Sequence, residues 1–207
     1  MAKALQMNMA FVTEYVEYND DTPENQGDHG NAVLAPFPIT DVTVIRHTTV
    51  YSWQRWGWIY GQPRFGERVT IGATLELPDG SQMRVYSTHL ESNAETVGKW
   101  IQLSEVVKDA EKYDLPVVIG GDFNELPGGL MFAMLPRHGI ENTFAGDLSS
   151  TGTCKPADGV AKCSLKIDWI VHKGLALDGR AVDYPLNAEG GVISDHAPVR
   201  AVFNVRQ

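Results

Sequence analysis

The sequence predicts an α+β domain of stacked sheets. Three observations carry that reading. Short β-rich runs recur along the chain with turn signals between them. One long amphipathic segment interrupts them, and a shorter helical segment follows. The chain has 207 residues, 43% of them hydrophobic, which suits one domain, residues 1–207, with a large core.

Taken in order, the strand candidates are MAFVTEYV (9–16), NAVLA (31–35), DVTVIRHT (41–48), ERVTIGATLEL (67–77), MRVYSTHL (83–90), PVVIGG (116–121), KIDWIVHK (166–173) and APVRAVFNV (197–205). Val69, Ile71, Ala73 and Leu75 alternate with Thr70, Gly72, Thr74 and Glu76, the period of a half-buried strand. LPDGSQ at 77–82 reads as the turn of a hairpin. Between Ala94 and Tyr113, the residues Val97, Ile101, Val106, Val107 and Ala110 form an apolar stripe, so a helix is expected there. A second, shorter helix is expected within Leu126–Arg137. No repeat, low-complexity tract or linker divides the chain.

Charge narrows the function. Lys and Arg number 17 against 26 Asp and Glu, a formal net charge of −9. Binding to a long nucleic acid draws on many Lys and Arg contacts to phosphate, so no strong general nucleic-acid binding is expected. No apolar run approaches the roughly 18 residues that span a bilayer, and MAKALQMNMAFV is too short and polar for a signal peptide. The expectation is a soluble cytoplasmic protein without a membrane partner. Export would need an N-terminal extension. Cys154 and Cys163 close a loop-like segment, CKPADGVAKC, and read either as a disulfide, which suits export, or as two free thiols.

Titratable and polar groups gather at strand ends. STHLE puts His89 after MRVYST, GGDFNE puts Asp122 and Asn124 after PVVI, and SDHAPV puts Asp195 and His196 before a strand. KIDWIV carries Asp168 among apolar neighbours. Each has a plain reading as a turn, a rim residue or, for Asp168, a partner of Lys166. Together they are harder to dismiss, because a core strand does not hold an acid without a partner, and an imidazole is a natural one.

STHLE, GGDFNE, KIDWIV and SDHAPV, in this order, resemble the endonuclease/exonuclease/phosphatase superfamily, and GDHGNAVLA and QPRFGERVTIGATLEL are similar to its earlier segments. The likeness runs from about Met9 to Val205. It implies a four-layer α/β/β/α sandwich and metal-assisted hydrolysis of a phosphate ester by water, most simply a phosphodiesterase acting on a small or broad-range ester, with a nuclease as the alternative. By position, Asp122 would orient and deprotonate the water, and Asn124 would hold the phosphate or the metal. His89 and His196 would donate to the non-bridging oxygens, and Asp168 would align His196. Asp195, Asp122 and Asn124 would form the metal site, with Mg²⁺ or Mn²⁺ expected and Ca²⁺ or Zn²⁺ as alternatives. Asn31 and Arg64 are the candidate substrate contacts.

The resemblance also implies an earlier strand with an Asn and another ending in a metal-binding Glu, whereas MAKALQMNMAFVTEYVEY matches the segment after them. The chain is therefore expected to lack the first strand and most of the first helix. Three outcomes follow: retained activity, a non-catalytic binding module, or a dimer or larger homo-oligomer that completes the sheet. Glu14, Glu17, Asp28 and His29 are the substitute ligand candidates, with Asp28 and His29 the first pair to test and all four read as solvated surface residues otherwise. Tyr51, Trp53, Trp56, Trp58, Tyr60 and Phe65 crowd one segment and read mostly as a core cap, with Arg55 beside them as a further phosphate contact.

Overall fold

A computed structural model describes residues 2–17, 27–48, 64–92 and 96–205. In chain order its elements are α1 (Ala2–Leu5), β1 (Asn8–Glu17), β2 (Gly27–Ala35), β3 (Ile39–Arg46), β4 (Arg64–Gly66), β5 (Val69–Glu76), β6 (Gln82–His89) and α2 (Thr96–Ala110). There follow β7 (Val117–Asp122), a 3₁₀ helix (Leu130–His138), β8 (Glu141–Asn142), β9 (Lys155–Ala157), β10 (Val160–Lys162), β11 (Asp168–Lys173), β12 (Leu175–Val182) and β13 (Val199–Val205).

The main sheet has six strands in the order β3-β5-β6-β7-β11-β8. β6 and β7 pair in parallel, while the other neighbours run antiparallel. Parallel neighbours need a crossover, and α2 supplies it. One face carries α2 and the 3₁₀ helix over a core of Leu103, Val106, Val107, Val117, Ile119, Phe123, Met131, Leu135 and Trp169. Strands β2-β1-β4 pack on the other face around Val33, Ala35, Ile71 and Ala73. The hairpin β12-β13 lies beside β11, where His172 packs on Phe203. The layered α/β sandwich expected from the sequence is present.

Every residue of β5 from Val69 to Leu75 is buried, so the half-buried expectation for this strand is corrected. Both faces of the sheet are covered, and the Thr hydroxyls on the α2 face are spent on polar partners. Thr70 pairs with Thr88 at 2.6 Å and with His47 at 3.0 Å, and Thr74 accepts from the buried Arg84 at 3.1 Å. The α2 stripe also shifts: Leu103, Val106, Val107 and Ala110 are buried, whereas Val97 is 63% exposed. The second helix covers part of the expected range, running one residue past it to His138, and is 3₁₀; Gly128, at a left-handed φ of 79°, precedes it and Pro136 lies inside it. The turn at 77–82 is as expected, with Leu77 N–H donating to the Ser81 carbonyl and Asp79 accepting from the Ser81 N–H and hydroxyl.

β13 falls within the expected strand 197–205, whereas hairpin β9-β10 and β12 (LALDGRAV), the latter interrupted at Asp178 and Gly179, lack a strong signal in sequence. Cys154 and Cys163 are disulfide-bonded, which closes the β9-β10 hairpin. No helix among the described residues is long and apolar enough to cross a membrane.

The paired glycines before Asp122 are not equivalent. A Cβ on Gly120 would meet nothing closer than 3.7 Å, whereas one on Gly121, at φ +145°, would lie 1.9 Å from the Thr88 carbonyl oxygen. Gly121→Ala is expected to destabilise the fold by more than about 2 kcal/mol, and Gly120→Ala to change it by no more than about 1 kcal/mol in either direction. Urea unfolding of the two variants checks this; equal midpoints would refute it.

Candidate active site

Strand register builds the centre of the site. In the main sheet Asp122 is paired with His89 of β6 on one side and with Asp168 of β11 on the other. Paired residues on neighbouring strands share a face, so His89, Asp122 and Asp168 stand in one row across three strands. His196 reaches the row from the segment before β13, with Nδ1 2.9 Å and 3.1 Å from the two Asp168 carboxylate oxygens. The sequence placed His89, Asp122 and His196 at strand ends and Asp168 inside a strand; Asp168 instead opens β11, and the fold brings the four together.

The GDFNE segment is both a turn and a rim. Asp122 Oδ1 accepts the Asn124 N–H at 2.8 Å, an Asx turn, and Asn124 sits at a left-handed φ of 48° that Asn tolerates. The Asn124 amide donates to the Leu90 carbonyl at 2.9 Å, tying the turn to the end of β6. Lys99 of α2 donates to the Asn124 carbonyl at 2.7 Å and lies 3.0 Å from the Glu125 carboxylate. Phe123 is fully buried, and Trp169 Nε1 donates to the Glu125 carbonyl at 2.8 Å.

A buried ion pair lies beside His89. Arg68 Nη1 donates to Glu14 Oε1 and, at 2.7 Å, to His89 Nδ1. A guanidinium only donates, so Nδ1 of His89 accepts and the ring proton sits on Nε2, 3.4 Å from Asp122 Oδ2. Glu14 Oε2 is 3.3 Å from the same Nδ1, a contact subordinate to the shorter Arg68 bond. Glu91 lies 3.9 Å from Arg68 Nε, also buried. Arg68 was missed in sequence, although a charged residue directly before the wholly apolar-facing run at Val69 is a visible signal.

Charge placement differs at the two histidines. The hydrogen bond that His196 Nδ1–H donates to the Asp168 carboxylate holds the cationic form of His196 and pushes its pKa up to about 9, against the opposing effect of burial. Burial pushes the Asp122 carboxyl above its usual range, with the nearby His89 ring and the Asn124 N–H acting against it and the neighbouring Asp168 reinforcing it. Lys166 is not the partner of Asp168: its ammonium stacks on the rings of Phe144 at 4.2 Å and Trp169 at 4.9 Å. Burial holds its pKa below the usual lysine value.

The remaining candidates separate. Glu14 is 4% exposed, so its reading as a solvated residue is corrected: the arginine draws it inward. Asp28 and His29 are exposed neighbours on β2, where successive side chains point to opposite faces, so they do not form one chelating pair. Asp28 accepts from the Thr13 hydroxyl at 3.3 Å and His29 stacks on Tyr15 at 4.8 Å. Asn31 is buried and donates to the Val69 carbonyl at 2.7 Å, which anchors β2 to the start of β5. Asp195 is exposed, 3.5 Å from the Ser194 hydroxyl. Arg64 pairs with Glu17 and Phe65 with Val16 in backbone register between β4 and β1, whereas Tyr51, Trp53, Trp56, Trp58 and Tyr60, with Arg55, lie outside the described residues.

Among the described residues no three His, Cys, Asp or Glu side chains gather closely enough to enclose a cation. The donors near the row are carboxylate and amide oxygens, which suit a hard divalent ion held by two carboxylates and an amide, with substrate and water completing the shell. Burial of the Asp122 carboxylate next to Asp168 is the observation that favours such an ion.

A family profile described as Endonuclease/Exonuclease/phosphatase family matches residues 3–196. No curated protein sequence matches the chain. Among solved structures, TDP2 of D. rerio complexed with single-strand DNA product aligns with TM-score 0.67 and 15% identity, covering 98% of this chain and 88% of that one. The Bacteroides thetaiotaomicron mannosyl-6-phosphatase Bt3783 aligns with TM-score 0.64 and 14% identity over 99% and 88%. The human Nocturnin catalytic domain with bound sulfate gives TM-score 0.65 and 17% identity over 97% and 74%. At these identities the likeness speaks to the fold alone. Members of the matched family generally use divalent metals.

Two outcomes follow from this electrostatic arrangement. Arg68→Gln leaves the buried Glu14 carboxylate without its guanidinium, and is expected to cost about 3–5 kcal/mol in urea unfolding, part of it recovered in the Glu14→Gln/Arg68→Gln double variant. Full additivity of the two single changes would refute the pairing. His196 has a raised folded-state pKa, so its stabilising contribution is complete below its ordinary value of 6.5 and is lost as pH rises through about 9. The stability margin of the native protein over His196→Gln should therefore shrink across that window; a constant margin contradicts it.

Proposed function

The chain belongs to the Endonuclease/Exonuclease/phosphatase family, and from that premise we propose that it is a divalent-metal-dependent phosphodiesterase acting on a small phosphate ester. The observation that supports this reading is the row His89–Asp122–Asp168 with His196 closed onto its end. Displacement at a phosphodiester needs an activated water and donors on the equatorial oxygens.

In this reading Asp122 takes the proton of the attacking water. Its raised pKa makes it a better base than an ordinary surface carboxylate. With Nδ1 of His89 taken by Arg68, its Nε2 proton, 3.4 Å from Asp122 Oδ2, is left to donate to a non-bridging oxygen beside that carboxylate. His196, held cationic by Asp168, directs its second ring proton at a non-bridging oxygen as charge builds there. Asn124 steadies the same region from the turn. Asp122, Asn124 and Asp195 are the residues that would hold the metal. When bound, such an ion supplies Lewis-acid polarisation of the phosphoryl oxygens.

The formal charge of −9 favours a small ester over a long polyanion, whose phosphates an acidic surface repels. The test is hydrolysis of bis(p-nitrophenyl) phosphate with Mg²⁺ or Mn²⁺. Activity should vanish with EDTA and fall by at least about 100-fold in Asp122→Ala and in His196→Ala. An inert protein under every divalent ion, with no change in melting temperature on adding metal, would favour the binding-module reading instead.

A further inference from the structure

Thr151 stands between the two halves of the Asp168–His196 pair. It is fully buried, and its Oγ1 accepts the backbone N–H of Ile167 at 3.1 Å and of Asp168 at 3.0 Å. Its carbonyl accepts the N–H of Ala197, the residue after His196, at 2.6 Å. The next residue, Gly152, forms isolated β-bridges with both Leu165 and His196. Two residues further on, the Cys154 N–H donates to the Asp195 carbonyl at 2.8 Å. One short segment thus holds the backbone on both sides of the pair.

The same segment is fastened at its far end. Cys154 is bonded to Cys163 across the β9-β10 hairpin. Cys154, Ala161 and Ala197 form a small apolar cluster, joined by Val182, Leu186 and Val192. That cluster presses the hairpin against the segment carrying His196. A Cβ on Gly152 would stand 2.5 Å from Ile167 Cδ1, so the clamp passes closely under the Asp168 strand.

We propose that Thr151 is a positioning residue for the Asp168–His196 pair, and that the Cys154–Cys163 disulfide anchors the segment through which it acts. Asp168 begins β11 in register with Asp122 of β7, and its own N–H is taken by the Thr151 hydroxyl. That hydroxyl therefore sets how Asp168 enters the strand, and the Thr151 carbonyl sets the distance to the His196 segment. A buried hydroxyl that accepts two backbone donors has no simple substitute among apolar side chains. The role rests on the phosphodiesterase reading only for its kinetic consequence.

Thr151→Val keeps the shape of the side chain and removes the acceptor. It should lower kcat on bis(p-nitrophenyl) phosphate by about 10-fold or more with KM within about twofold, since small displacements of reacting groups cost large factors in rate. Thr151→Ser should return kcat to within about threefold of the native value. A second measurement reads position without turnover: the downfield Nδ1 proton of His196 in its bond to Asp168, seen by NMR, should be lost in Thr151→Val and kept in Thr151→Ser. A folded Thr151→Val with native kcat and an intact resonance overturns the assignment. If Thr151→Val does not fold, the Cys154→Ala/Cys163→Ala double variant decides. Lowered kcat with a shifted resonance upholds the clamp, and native values of both overturn it. Native protein without hydrolytic activity, but with the resonance lost in Thr151→Val, sinks the phosphodiesterase reading and leaves the positioning role standing.

Discussion

Strand register is the constraint on which the site depends. β7 pairs in parallel with β6 and antiparallel with β11, and the two registers meet at Asp122. A slip of one residue in either pairing would turn His89 or Asp168 to the opposite face. The core prevents that slip. Val117 and Ile119 of β7, and Trp169 and Val171 of β11, are buried against α2 and the 3₁₀ helix. The apolar face thus fixes which residues of the other face stand together, and the chemistry of the row is a by-product of packing.

Buried cations answer a second requirement. An acidic chain that gathers carboxylates at one sheet end must neutralise some of them without water. Arg68 does so for Glu14 beside His89. On the reverse face, Arg84 is fully buried between Asp109 at 3.5 Å and Asp41 at 3.3 Å, stacked 4.1 Å over Tyr113. Glu105 of α2 holds His47 at 2.8 Å, whose other ring nitrogen meets Thr70. Arginine suits these places because its planar, weakly hydrated group spreads several donors over several acceptors. Among the described residues no guanidinium pairs with Asp122 or Asp168. Their partners are imidazoles, which leaves them able to exchange protons.

The sequence made most of the main sheet readable. Alternation and β-branched residues locate β5, β6, β7 and β11, and the helical stripe locates α2 to within a few residues. The titratable residues at the strand ends were readable too, because acids and imidazoles beside apolar runs stand out. What stayed hidden depended on distant pairing. Nothing local to Thr151 separates it from the Ser and Thr residues around it in DLSSTGTC. Glu14 looks like a surface residue of an alternating strand until Arg68, distant in sequence, is placed opposite it. The strands β8, β9 and β10 are two or three residues long, too short for any periodicity to register.

The parallel pairing of β6 and β7 has a consequence for how the protein reaches its native state. His89, Asp122 and Asp168 are far apart along the chain, and their meeting requires the crossover through α2 and the later return of β11. Such distant contacts are favourable only after the entropy of closing the intervening loops has been offset, so they form late and together. Among the described elements no single hairpin or helix holds two members of the row. Competence is therefore all-or-none during synthesis and refolding, and a partly folded chain exposes acids and imidazoles that do not yet belong to one another.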